Sequence, residues 1–148
     1  MKRAAILMLS LLVAITVVAC GGSNAKGNTP TNASHEHGDD HGKMKEIGKK
    51  KVGDRDVTVS VSEWDVGKEG VAEVAVSGDG ADKLAIKAWI AGDDGKEASP
   101  KATGSWAADE KMFDCHIELG KDLKPGKYKL WISVGDAKES WDVEVHKD

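Results

Sequence analysis

The chain reads as an all-β protein: a β-sandwich of about seven short strands over residues 52–148, preceded by an export signal and a polar tether. Three observations carry that reading. From Val52 onward apolar and polar residues alternate with period two, the pattern of strands that bury one face. Glycine- and aspartate-rich turn signals punctuate the alternation. No stretch shows the 3.6-residue apolar spacing of an amphipathic helix.

The strands follow in order. Val57, Val59 and Val61 alternate with Thr58, Ser60 and Ser62. Trp64 and Val66 then fall out of phase, which predicts a bulge near Ser62-Glu63. Ala72, Val74 and Val76 make the second strand, and Leu84, Ile86, Ala88 and Ile90 the third, which ends at the turn Gly92-Asp93-Asp94-Gly95. A weaker strand is expected between Glu97 and Trp106, where Pro100 suits a sheet edge. Phe113, Cys115, Ile117 and Leu119 alternate with Met112, Asp114, His116 and Glu118. Tyr128, Leu130, Ile132 and Val134 form the sixth strand; Trp141, Val143 and Val145 form the last, with Gly135-Asp136 between them.

Roughly 95 residues of short strands are the size of an immunoglobulin-like domain. The piece Leu123-Lys124-Pro125-Gly126-Lys127-Tyr128 resembles the tyrosine corner of immunoglobulin-like and fibronectin type III domains. The resemblance implies that the Tyr128 hydroxyl bonds back to nearby backbone. The chain has two cysteines, Cys20 and Cys115. With Cys20 assigned to lipid, as argued next, Cys115 has no partner and the disulfide of antibody domains is absent. The fold must rest on its core.

The first residues carry the localisation. Lys2 and Arg3 supply positive charge, Ala4 to Ala19 form a nearly unbroken apolar run, and small Ala19 precedes Cys20. That order is a secretory signal, here residues 1–19. The run is shorter than the ~20 residues a helix needs to cross the hydrocarbon core, which argues against a transmembrane anchor. Val17-Val18-Ala19-Cys20 resembles the bacterial lipobox. The resemblance implies a diacylglyceryl group on the Cys20 sulfur, removal of the signal and acylation of the new amino terminus. At ~0.8 kcal/mol per buried methylene, two or three acyl chains anchor stably where one does not. Gly21, standing where an aspartate would signal retention, resembles the outer-membrane sorting pattern. In a host with two membranes the protein is then expected on the outer membrane, facing the periplasm. The other reading of the segment is an ordinary secretory signal that ends by chance at a cysteine.

Loss of the leader takes the basic count from 21 to 19 against 25 acidic residues, and the formal charge from −4 to −6. An acidic balance argues against nucleic acid as a partner, because phosphate binding needs a basic footprint. Residues 20–51 hold few large apolar side chains and are expected to be disordered. A flexible coil of that length spans roughly 30 Å.

Within this tether, His35-Glu36-His37-Gly38-Asp39-Asp40-His41 gathers three imidazoles and three carboxylates. Neutral imidazole suits zinc, copper and nickel, and short His-rich tracts bind metals on composition. The expected ligands are His35, His37 and His41 with Glu36, Asp39 and Asp40. Ordering a flexible segment subtracts from affinity, so binding is expected to be loose and exchangeable. The bland alternative is a solvated spacer. Met112, Cys115, His116 and Met44 make a second sulfur-bearing group. Alternation puts Cys115 and His116 on opposite faces of one strand, so they cannot share an ion.

Trp89 and Trp131 fall in the polar register of their strands, beside Lys87 and Lys129. In an immunoglobulin-like order these strands are neighbours, and both rings lie on one outer face, the mark of a binding surface. A register one residue off would bury them, as would packing under a loop or the tether. Trp64, Trp106 and Trp141 are expected in core or edge packing. The basic run Lys43, Lys45, Lys49, Lys50 and Lys51 is either a contact to anionic lipid or a solvated boundary. No nucleophile elbow or phosphate-binding loop is present, so no enzyme is expected.

A His-rich segment followed by Lys87-Ala88-Trp89-Ile90 and Leu130-Trp131-Ile132-Ser133-Val134 resembles bacterial envelope lipoproteins, and the β domain is similar to the YtkA-like type. The resemblance implies an association with metal-handling systems, and with it an envelope-protein or metal-transport partner. The alternative is an adhesive or structural envelope module that binds protein or glycan through its β domain.

Overall fold

The computed structural model describes residues 43–147. The export segment, Cys20 and the histidine cluster of residues 35–41 lie outside them. Nine strands form among the described residues: β1 (Lys45–Val52), β2 (Arg55–Val61), β3 (Glu69–Val76), β4 (Ile86–Ala91), β5 (Ala102–Thr103), β6 (Ser105–Ala107), β7 (Met112–Glu118), β8 (Gly126–Val134) and β9 (Ala137–Val145). Among the described residues a single 3-10 turn spans Ala81–Lys83. No helix among the described residues is long and apolar enough to cross a membrane.

The strands form two antiparallel sheets, β1-β2-β3-β7-β6 and β5-β4-β8-β9. Setting β1 aside, these orders are the A-B-E-D and C′-C-F-G orders of an immunoglobulin-like sandwich. Alternation fixes what lies between the sheets. Val57, Val59, Val74, Cys115 and Ile117 come from one sheet and Ile86, Ile90, Leu130 and Ile132 from the other, all buried in one cluster. Burying each aliphatic side chain stabilises by roughly 1.5–3 kcal/mol, and Cys115, the cysteine among the described residues, is a free thiol. The tyrosine corner forms as expected, with the Tyr128 hydroxyl donating to the Lys124 carbonyl at 2.7 Å.

Three sequence expectations are corrected. The first is the boundary at 51/52: Lys45–Lys51, expected in the tether, belong to β1, which pairs with β2 from Lys45↔Val61 to Val52↔Arg55. Only Val52 of β1 is buried. An edge strand is held by backbone pairing and needs no apolar alternation, and lysines along it discourage pairing with other chains. The basic run is partly spoken for inside the fold. Lys49 and Lys51 flank Asp56 at 3.6 and 3.5 Å, and Lys50 reaches Glu139 at 3.6 Å, the Ser140 carbonyl and the Trp141 ring. The bonds from Lys50, with the Trp141 indole donating to the Gly48 carbonyl at 3.2 Å, tie β1 to β9 and close one side of the sandwich.

The second correction is the strand count. The expected strand between Glu97 and Trp106 is two edge strands, β5 on one sheet and β6 on the other. Gly104 lies between them where the chain changes sheets. A Cβ there would sit 3.1 Å from Ile86 Cβ and 3.2 Å from Cys115 Sγ, so a side chain could enter only if the core gave by a few tenths of an ångström.

The third concerns the bulge. None forms at Ser62-Glu63; β2 ends at Val61 and the chain leaves the sheet. It carries Trp64 into the core and makes a parallel bridge from Asp65 to His146, with the His146 amide bonded to the Trp64 carbonyl at 2.7 Å. The phase slip at Trp64 marks a crossing between sheets. The ladder irregularity lies instead in β1, between Glu46 and Gly48, where Gly48 takes φ +130°.

Candidate functional site

The outer face of the β5-β4-β8-β9 sheet carries the tryptophan pair. The register holds: Trp89 lies directly opposite Trp131 across β4 and β8. The rings stack at 6.3 Å between centroids and 11° between planes, a geometry in which aromatic pairs gain beyond their area. Both stand outside the core cluster. Their exposure differs from a bare platform. Trp89 is only 7 % exposed and Trp131 is half-buried. The Lys101 ammonium lies over Trp89 at 4.8 Å and the Lys138 ammonium over Trp131 at 5.2 Å, so the domain's own lysines dress the rings.

The flanking lysines are not equivalent. Lys87 is exposed, opposite Ser133 and Thr103. Lys129 pairs across to Asp142 on β9. That hydrogen bond holds the Asp142 carboxyl below its usual range and the Lys129 ammonium above its own. Lys101 reaches Glu97 at 2.8 Å. The face is thus an aromatic pair ringed by lysines, part of whose charge is answered locally.

A cleft opens beside the start of β1, where the polypeptide enters the domain. Met44, Glu63, Trp64, Asp142, Glu144 and His146 are among its lining residues. The parallel bridge at Asp65 brings the His146 backbone here, about a hundred positions from Met44 in sequence. Sequence reasoning passed over His146, which stands alone near the chain end. No local signal marks it.

The sulfur-bearing group does not assemble. Cys115 is fully buried, and burial pushes its thiol up to about 12, with the neighbouring Asp114 charge adding to the effect. His116 points to the other face, with Nδ1 2.7 Å from Glu69 Oε1.

Neither a protein-family model, nor a curated protein, nor a solved structure matches the chain.

Another cluster emerges only in three dimensions. Glu73 on β3 lies directly opposite Asp114 on β7, and Glu110 sits in the turn that leads into β7. One carboxylate oxygen from each lies within 4.8 Å of the others. Glu73 and Asp114 face outward by alternation, which reads as ordinary surface polarity in the sequence. Only the pairing register of β3 with β7 brings them together.

Proposed function

We propose that this chain is a non-enzymatic lipoprotein of the cell envelope, anchored through lipid on Cys20, that captures a divalent transition metal on His35, His37 and His41. The observation that carries the reading is the density of that cluster, three imidazoles among three carboxylates in seven residues. Nitrogen and carboxylate donors together suit Zn(II), Cu(II) or Ni(II).

The fold supports the reading through reach. With β1 starting at Lys45, His41 is four residues from the folded body, at most about 14 Å of extended chain. The cleft lined by Met44, Glu144 and His146 opens at that end of the sandwich, beside the start of β1. The sandwich serves as the body that presents the metal or docks a transport partner.

Calorimetric titration of the full chain in detergent with Zn(II), Cu(II) and Ni(II) tests the reading. The wild type is expected to bind, and the variant with His35, His37 and His41 all changed to alanine is expected to lose most of the heat. Equal binding by the two forms removes the cluster from the mechanism. Mass spectrometry of the native protein is expected to find a lipid-bearing amino-terminal cysteine, and an unmodified Cys20 would remove the anchor.

The stacked Trp89–Trp131 pair favours a second reading, in which the lysine-ringed face binds an anionic glycan of the envelope. Aromatic rings offer flat apolar faces to sugars, and Lys87 and Lys138 offer charge. Changing Trp131 and Lys138 together to alanine is expected to lower retention on an acidic-polysaccharide column while leaving metal titrations unchanged. Unaltered retention counts against this face.

A further inference from the structure

We propose that Glu73, Glu110 and Asp114 form a binding site for a hard divalent cation, calcium by ligand type and spacing, on the outer face of the five-stranded sheet. The site shares no residue with the histidine segment and does not depend on it.

The first support is the convergence of like charge. Glu73 and Asp114 are direct cross-strand partners, an arrangement in which two carboxylates repel. The turn between β6 and β7 then adds a third. In that turn the Lys111 amide bonds back to the Ala107 carbonyl at 2.9 Å, and Lys111 takes φ +57°. Glu110 is thereby folded onto the other two, with the three oxygens within 4.8 Å.

The second support is independent of the clustering. Asp114 is only 8 % exposed, and its Oδ1 is buried without a hydrogen-bond partner. Buried carboxylate oxygens are ordinarily paired, because loss of water is otherwise uncompensated. A buried, unanswered Asp114 oxygen beside two further carboxylates calls for a positive group, and a cation bound there answers it.

The donor set selects the ion. Three carboxylates with no imidazole or thiolate suit a hard cation and give zinc or copper no advantage. Calcium takes oxygen ligands at 2.3–2.6 Å, so two oxygens of one sphere lie up to about 5 Å apart. Magnesium demands a tighter octahedron and keeps most of its waters. Three protein carboxylates, one on a turn, leave several positions to water. The expected affinity is that of extracellular calcium modules, on the order of 10⁻⁴–10⁻³ M. A bound ion would pin the β6–β7 turn to β3 and steady the short edge strand β6.

The test uses the full chain in detergent after chelator treatment, titrated with calcium chloride by calorimetry and followed by thermal unfolding. One ion per chain is expected, with the midpoint rising by roughly 5 °C or more near 10 mM calcium. Terbium, a luminescent stand-in for calcium, is expected to be sensitised by Trp106, whose ring packs 4.9 Å from that of Phe113, next in sequence to Asp114. E110Q changes an exposed turn residue outside any strand, so folding is preserved; it is expected to weaken calcium by about tenfold or more. D114N is expected to abolish the calcium response and, in chelator, to raise the midpoint because the buried charge is gone. Absence of heat and thermal shift in the wild type at about 10 mM calcium overturns the proposal. So does wild-type calcium binding by E110Q. A D114N midpoint that rises while the wild type ignores calcium likewise overturns it. Zinc titration of E110Q, expected to match the wild type, separates failure here from failure of the histidine segment.

Discussion

Trp64→Ala is expected to destabilise the domain by about 3–5 kcal/mol, the cost of removing a fully packed aromatic side chain. Trp64 is only 1 % exposed, and its indole donates to the Val71 carbonyl at 3.2 Å. The fit is close: a Cβ on Gly70 would come within 2.8 Å of the ring, so glycine there is part of the pocket. The segment holding Trp64 also carries the crossing from β2 to β9, so a void there loosens both the core and the bridge to His146. Against a typical stability of 5–15 kcal/mol for a small domain, the loss is a large fraction. The midpoint should fall by roughly 15 °C or more, read by circular dichroism. Trp106→Ala serves as the comparison, since Trp106 is half-buried at the edge strand β6 and should cost clearly less. Equal losses at the two positions would mean that Trp64 does not anchor the crossing.

Alkaline pH is expected to destabilise the fold through Cys115. Its thiol is pushed from an ordinary 9.0 up to about 12 in the folded domain, first by burial and then by the Asp114 charge. Above pH 9 the unfolded chain gives up this proton while the folded chain keeps it. The unfolded state then binds fewer protons, and stability falls as pH rises. The contribution is fully present below pH 9 and is lost progressively between 9 and 12. Its size is on the order of 4 kcal/mol at the upper end, from 1.36 kcal/mol per unit. The informative quantity is the difference from Cys115→Ala, which isolates the thiol. In calcium-free buffer, urea midpoints of the two forms between pH 8 and 11 should converge or cross as the wild type loses its thiol-linked stability. Parallel curves would show that the thiol ionises as readily folded as unfolded. The buried thiol should also resist alkylation until the domain opens.

Much of the sandwich was legible from period-two alternation. Val57, Val59, Val74, Ile117, Leu130 and Ile132 all point inward as read, because a strand that buries one face must place an apolar residue at every second position. Tyr128 was legible for a different reason, since its corner is local and spans four residues. The Trp89–Trp131 pairing was legible once neighbouring strands were assigned, because cross-strand register follows from which face is buried. How far the rings are covered was not, since Lys101 and Lys138 reach them from beyond their own strands.

The sequence by itself determined the inner and outer faces of the principal strands, the immunoglobulin-like class, and the location of the histidine cluster. These are properties of short stretches, written in periodicity and composition. Tertiary structure alone decided that β1 is a strand, that one expected strand is split between two sheets at Gly104, and that the slip at Trp64 is a crossing. It alone brought His146 and Met44 to the lining of one cleft, and Glu73 opposite Asp114. Pairing between distant segments is set by backbone hydrogen bonds and by the closure of the two sheets. Neither leaves a mark in local side-chain pattern, because backbone donors and acceptors are the same at every residue except proline.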